Sequence, residues 1–178
     1  ANGVDVASGV SGGVYVSADS GENHLTIKYD ANGNRQWVKG TSGSSRGIIV
    51  DEGGNVVIAT NADGAWNIEK YDSEGSVKWS HHIDRSGQDL GPFGFVRDKY
   101  GNISICSCSD SSEHSEMMIM NLDANGFIRY AISLPESGMS PWGPRTYAAA
   151  SDSDGSIRIA GGAGGSYWTG YNEALILN

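Results

Sequence analysis

Apolar and polar residues alternate with period two along most of the chain, in short runs broken by turn residues. Leu25 to Tyr29 forms one such run; the turn Asp30-Ala-Asn-Gly33 follows, and a second run ends on Trp37. The same phrase returns from Asn67 to Trp79 and again from Met118 to Tyr130. Period two marks a strand with one buried face, and Asp, Asn and Gly between two such runs mark a hairpin. No window carries the 3.6-residue period of an amphipathic helix.

A second hairpin precedes each of these. It runs from Ile48 to Ile58, from Phe95 to Ile105 and from Ala149 to Ile159, with a degenerate first copy from Val6 to Val16. Gly13, Gly54, Gly101 and Gly155 are expected to mark its turn, giving a spacing of 41 to 54 residues. Each repeat then supplies four strands, A to D, in one all-β domain over 1–178, with repeats at about 1–40, 41–82, 83–133 and 134–178. Repetition at this period predicts a β-propeller of about four four-stranded antiparallel blades in preference to a sandwich. Strand A is rich in small residues (Ala7, Gly47, Gly94, Ala148 to Ala150), which suit the crowded strand nearest an axis. Strand D carries Trp37, Trp79 and Tyr130, large enough to fill the wedge between blades.

The fourth repeat supplies A, B and C and is followed only by Asn178, so the last blade lacks its outer strand within this chain. An open edge invites a partner strand. A strand from another subunit would complete it; so would the N-terminus, since Leu175 to Asn178 joined to Ala1 to Asp5 repeats the pattern of the third strands. Completion from outside, or truncation, is the favoured expectation.

The phrases Gly13-Val-Tyr-Val16, Gly54-Asn-Val-Val-Ile58, Ile27-Lys-Tyr-Asp30 with Trp37, and Glu69-Lys-Tyr-Asp72 with Trp79 carry a family likeness. The chain resembles the bacterial β-propeller repeat known as SBBP, and the propeller repeats of phage virion proteins. Leu122 and Leu177 depart from it at the Tyr position. The resemblance implies a propeller. It also implies a non-enzymatic part of a virion, such as a phage tail or appendage, acting in assembly or host attachment. Its partners would be other virion subunits or a second copy, and its location virion or extracellular. The alternatives are a secreted or surface bacterial glycan-binding propeller, and a propeller enzyme acting on polysaccharide.

Composition narrows the choice. A formal net charge of −9, with only 12 basic residues in 178, opposes nucleic acid and anionic membrane as partners. No apolar run is long enough for membrane insertion as a helix. The 26 glycines fit many tight turns. Cys106 and Cys108 stand two apart on one strand and cannot staple distant segments. Turns such as Asp152-Ser-Asp-Gly155 hold the opening residues of a calcium loop without its distal Glu or its helices; they read as turn formers, leaving room for adventitious calcium and implying no cofactor.

Up-and-down pairing puts the short Asp-x-x-Gly turns at one end of each blade and the connections 18–24, 60–66, 81–93, 108–116, 133–145 and 161–171 at the other. Unlike connections on a repeated scaffold are where binding is expected. They collect Trp66, Phe93, Trp142, Tyr167, Trp168 and Tyr171 together with the histidines His24, His81, His82 and His114, a set suited to a protein partner or to a surface glycan. No nucleophile elbow and no Ser/His/Asp order supported by spacing is present, so no catalytic residue is nominated.

Overall fold

The computed structural model describes residues 2–21, 23–84, 92–110, 115–135, 145–153, 155–163 and 171–177. They form an all-β protein, and every strand pairing among them is antiparallel. The strands are β1 (Asn2–Ser8), β2 (Val14–Ser20), β3 (Asn23–Tyr29), β4 (Arg35–Ser42), β5 (Ser44–Val50), β6 (Val56–Ala62), β7 (Ala65–Tyr71) and β8 (Val77–Asp84). They continue as β9 (Pro92–Arg97), β10 (Ile103–Asp110), β11 (Ser115–Leu122), β12 (Ile128–Pro135), β13 (Arg145–Ser151), β14 (Ile157–Ala163) and β15 (Tyr171–Leu177). Consecutive strands pair in four meandering sheets, β1–β4, β5–β8, β9–β12 and β13–β15, which reproduce the four expected repeats. Contacts divide the chain into two compact units, Ala1–Arg85 and Ser86–Asn178, each holding two sheets.

The Asp-x-x-Gly turns show why Asp opens them. In the turns starting at Asp30, Asp51, Asp72, Asp98 and Asp123, the carboxylate Oδ1 accepts the N–H groups of the residues two and four ahead, at 2.8–2.9 Å. The backbone closes the same loop, as in Asp51 N–H to Asn55 O at 2.9 Å and Gly54 N–H to Asp51 O at 3.0 Å. Gly54 sits at φ 73° and Gly101 at φ 83°, a region that costs little only for glycine. In the first repeat the left-handed residue is Gly12 (φ 78°), while Gly13 is extended at φ −69°. The expected turn marker was therefore one residue late there: Gly9, Gly12 and Gly13 occupy the places of Asp51, Gly54 and Asn55.

Within the first unit, the facing sides of β1–β4 and β5–β8 enclose a core of Tyr15, Ile48, Val56, Ile58 and Tyr71, with Trp37 from β4 packed against it. Trp37 meets Tyr15 edge-on at 5.8 Å and Tyr71 at 6.3 Å, and its indole N–H donates to the Ser73 carbonyl at 3.1 Å. The Tyr15 hydroxyl donates to the Gly54 carbonyl at 2.6 Å, and the Lys28 ammonium to Ser73 O at 2.7 Å. Aromatic bulk and carbonyl anchors thus bind one sheet to the turns of the next. The second unit repeats the plan with Val96, Cys106, Ile119, Ile157 and Ile159, flanked by Tyr130 and Ala149. Its inner strands approach closely: a Cβ on Gly94 would lie 3.4 Å from that of Ala149.

Trp37→Ala should cost about 3 kcal/mol, because a half-buried indole and its cross-sheet hydrogen bond are lost together. The urea midpoint of the full chain measures it; Trp37→Phe, which keeps most of the ring contact, should recover more than half.

Candidate functional site

The residues expected to form a binding face divide three ways. Trp66 lies on β7 rather than in a loop and is 1% exposed, which makes it an interior side chain unavailable to a partner. His81 and His82 are strand residues of β8, opposite Ile68 and Asn67. His81 packs on Trp79 at 5.6 Å, and exposed His82 pairs through Nδ1 with Asn67 Oδ1 at 2.7 Å, so the two rings point to opposite faces of the sheet. His114, Trp142, Tyr167 and Trp168 lie outside the described residues, as do the side chains of Phe93 on β9 and Tyr171 on β15. The connections at 18–24 and 60–66 are not long loops. Ser20 pairs with Asn23 and Ala62 with Ala65, leaving two-residue hairpins. Asp63 (φ 53°) and Gly64 (φ 77°) supply the two positive φ values that such a turn needs.

One constellation was not found in the sequence. On the face of the first sheet that meets the second, Asp19 and His24 stand opposite each other on β2 and β3, and Ser17 stands opposite Thr26. His24 Nδ1 lies 3.0 Å from Asp19 Oδ1, and Nε2 lies 3.4 Å from Ser17 Oγ. Asp19 also accepts the N–H of Ser45 at 3.3 Å, tying the start of β5 to the first sheet. The atoms are those of a serine–histidine–aspartate relay, with the carboxylate orienting the imidazole and the imidazole facing a hydroxyl. Ser17 and His24 are both 0% exposed, however, so no substrate reaches the hydroxyl. The arrangement works as a hydrogen-bond clamp between strands and between sheets. Its signal in the sequence was the i, i+2 spacing of Ser17 and Asp19 across a two-residue turn from His24.

Around this clamp the space between the sheets is polar. The hydroxyls of Thr26, Thr41 and Thr60 are buried and have no hydrogen-bond partner among the described residues. The second and third repeats place apolar residues at the corresponding positions: Ala59 and Cys106 for Ser17, Trp66 and Met117 for His24, Ile68 and Ile119 for Thr26. At the turn end of the second sheet, the Lys70 ammonium, 4% exposed, lies 2.8 Å from Asp51 Oδ2. Burial pushes the Asp51 carboxyl up, but hydrogen bonds from Lys70 and Asn55 outweigh it and leave its pKa below the ordinary value. Tyr71 is pushed far above its usual range by burial and by the hydrogen bond of its hydroxyl to Glu69 at 2.6 Å. Among the described residues no group of three His, Cys, Asp or Glu side chains could hold a metal ion. Among the described residues no helix is long and apolar enough to cross a membrane.

Solved structures share this arrangement of sheets. A protein of unknown function from Bacteroides caccae superimposes with a TM-score of 0.58 at 13% identity, over 97% of this chain and 60% of its own. A catalytically inactive virginiamycin B lyase from Staphylococcus aureus, solved with quinupristin, gives 0.58 at 14%, over 96% and 55%. An uncharacterized protein from Listeria monocytogenes gives 0.50 at 10%, over 99% and 56%. The fold is propeller-like. At these identities the likeness concerns fold alone. The chain spans only 55–60% of the length of these relatives. No family model matches the sequence, and no curated protein does.

Three substitutions test the packing of the first unit. His24→Ala should destabilise by about 2–3 kcal/mol, since it removes a buried ring and leaves the buried Ser17 hydroxyl without its partner, while Asp19 keeps the Ser45 N–H. Thr60→Val, which deletes an unpartnered hydroxyl at nearly constant shape, should be neutral or stabilising; urea unfolding compares the two. Because the folded-state pKa of Asp51 is lowered, its pairing adds stability that is present above the unfolded value of about 3.9 and is lost as pH falls through the lower folded one. Lys70→Met should therefore lose about 2 kcal/mol at pH 7, and the deficit should shrink below about pH 4. A deficit that stays constant across that window in pH-resolved unfolding would show that the ion pair is not its source.

Proposed function

We propose that the chain is a β-propeller module of about four blades, the last lacking its outer strand within this chain, that acts by binding and assembly rather than catalysis. In this reading it belongs to a virion, in a phage tail or similar appendage, where it joins subunits or attaches the particle to a host surface. The observation that carries the proposal is the edge that β15 presents: among the described residues it pairs with β14 alone, where the other three sheets have four strands. A strand edge of this kind accepts a further strand, from elsewhere in the polypeptide or from a partner, and in this proposal a partner supplies it. The outer strands β4 and β8 carry Arg35, Lys39, Lys78 and Asp84, charges that discourage unwanted pairing at those edges.

The use made of polar groups supports the same reading. The turn carboxylates are occupied by backbone N–H groups, and the serine–histidine–aspartate set found among the described residues is sealed inside. The likeness to the phage and bacterial propeller repeats supplies the virion setting. The likeness to a lyase supplies no activity, since it extends to the fold only.

Native mass spectrometry of the full chain tests the proposal. The expected result is a defined oligomer that a Pro placed at Glu173 or Leu175 on β15 breaks up, because Pro removes an N–H and is poorly tolerated inside a paired strand. A monomer at all concentrations, unchanged by Pro, would remove self-assembly and leave attachment as the function.

A further inference from the structure

Three hydroxyls buried in the first unit, those of Thr26, Thr41 and Thr60, have no hydrogen-bond partner among the described residues. The strand ladders bring them together. Asp19 on β2, His24 on β3 and Thr41 on β4 stand in one row across the first sheet, and Ser17 and Thr26 stand in the next. Ser45 on β5, Thr60 on β6 and Asn67 on β7 form a row across the second sheet. The Asp19 carboxylate accepts the Ser45 N–H at 3.3 Å and so sets the two rows face to face. Gly43, two residues beyond Thr41, passes so close to β6 that a Cβ on it would lie 2.9 Å from that of Ala62, two residues beyond Thr60. Thr41 and Thr60 are therefore neighbours across the gap between the sheets, and Thr26 is the diagonal neighbour of Thr41 on β3.

The scaffold does not require this gap to be polar. At the place of Thr26 the second and third repeats carry Ile68 and Ile119, both 0% exposed, and at that of Thr41 they carry Ile83 and Leu134. A hydroxyl taken out of water without a partner is costly, and almost every buried polar group in a folded protein is paired, with ordered water where no protein group serves. Three such hydroxyls on facing rows thus point to something that bonds them.

We propose that the gap is an internal water site, in which one or two ordered waters bridge the hydroxyls of Thr26, Thr41 and Thr60 and join the first sheet to the second. The chemistry of the walls selects water. Each hydroxyl both donates and accepts, and a buried water makes about three hydrogen bonds, the number offered here. The neighbouring chargeable groups are engaged already: Asp19 Oδ1 faces the His24 ring and the Ser45 N–H, and His24 Nε2 faces Ser17. An ion of either sign would have to displace bonds that the fold makes. The row of Thr60 continues through Asn67 to exposed His82 on β8, so the polar layer runs from the interior to the surface. The site is independent of virion assembly and of attachment.

Oxygen-17 magnetic relaxation dispersion of the full chain counts long-lived internal waters, and a crystal structure of the same chain places them. The expected result is density within ~3 Å of at least two of the three hydroxyls. The dispersion amplitude should fall by about one or two waters in the triple variant Thr26→Val, Thr41→Val, Thr60→Val. Thr60→Ser keeps the hydroxyl and should keep the water. Thr60→Val should lose it at little cost in stability, because release of an immobilised water offsets the lost bond; this pair carries the comparison if the triple variant does not fold. Hydroxyls bonded directly to protein groups, with no density between them, would overturn the inference. So would a dispersion that is unchanged when the hydroxyls are removed, or density that proves to be a cation by following an exchange of sodium for rubidium.

Discussion

A carboxylate that collects two backbone N–H groups at the tip of a hairpin governs the rest of this molecule. It fixes the turn, the turn fixes the register, and register decides which alternate residues face the neighbouring sheet. A slip of one residue in β6, which follows the Asp51 turn, would turn Val56 and Ile58 away from the first sheet and bring Val57 and Ala59 in their place. The stereotyped turns are therefore where the repeat is specified, and the irregular residues elsewhere are free to differ.

The inter-sheet space of the first unit shows what that freedom permits. At the turn end it is filled by Tyr15, Trp37, Tyr71, Val56 and Ile58, whose bulk and ring contacts supply most of the adhesion. At the hairpin end the same two sheets enclose Ser17, His24, Thr26 and Thr60, where the second repeat uses Ala59, Trp66 and Ile68 on its own corresponding face. A polar interior with unpartnered hydroxyls is less stabilising than an apolar one. The clamp of Asp19, His24 and Ser17 offsets part of that deficit, because it satisfies the imidazole on both nitrogens and fastens β5 at Ser45. Specific pairing thus does at one end what packing does at the other.

The repeats, the strand faces and the wedge-filling role of Trp37 and Tyr130 were legible in the sequence, because period two and Asp-x-x-Gly chemistry are local and recur. What could not be read depended on pairing across the turn. Asn61-Ala-Asp-Gly64 has the composition of a loop, yet left-handed Asp63 and Gly64 reverse the chain in two residues and carry the ladder on to Ala62 and Ala65, which draws Trp66 into the interior. In the first repeat three glycines, Gly9, Gly12 and Gly13, compete for the turn, and composition alone does not say which one takes positive φ. The Ser17, Asp19 and His24 set was hidden for the same reason. A hairpin of unknown length leaves the cross-strand partner of Asp19 undefined until the ladder is counted.

The same dependence separates the exposed aromatics of the third sheet from the buried ones. A buried ring in a repeat protein is accounted for by packing: Trp37 is bound to its neighbours by contact and by the Ser73 carbonyl, and any large apolar group would recover part of that. Tyr100 and Phe127 occupy places where Gly, Asn and Ser close equivalent turns with the same hydrogen bonds, so the backbone exerts no demand for a ring there. Gly155 and Lys99 nevertheless hold Tyr100 in a defined pose at 68% exposure.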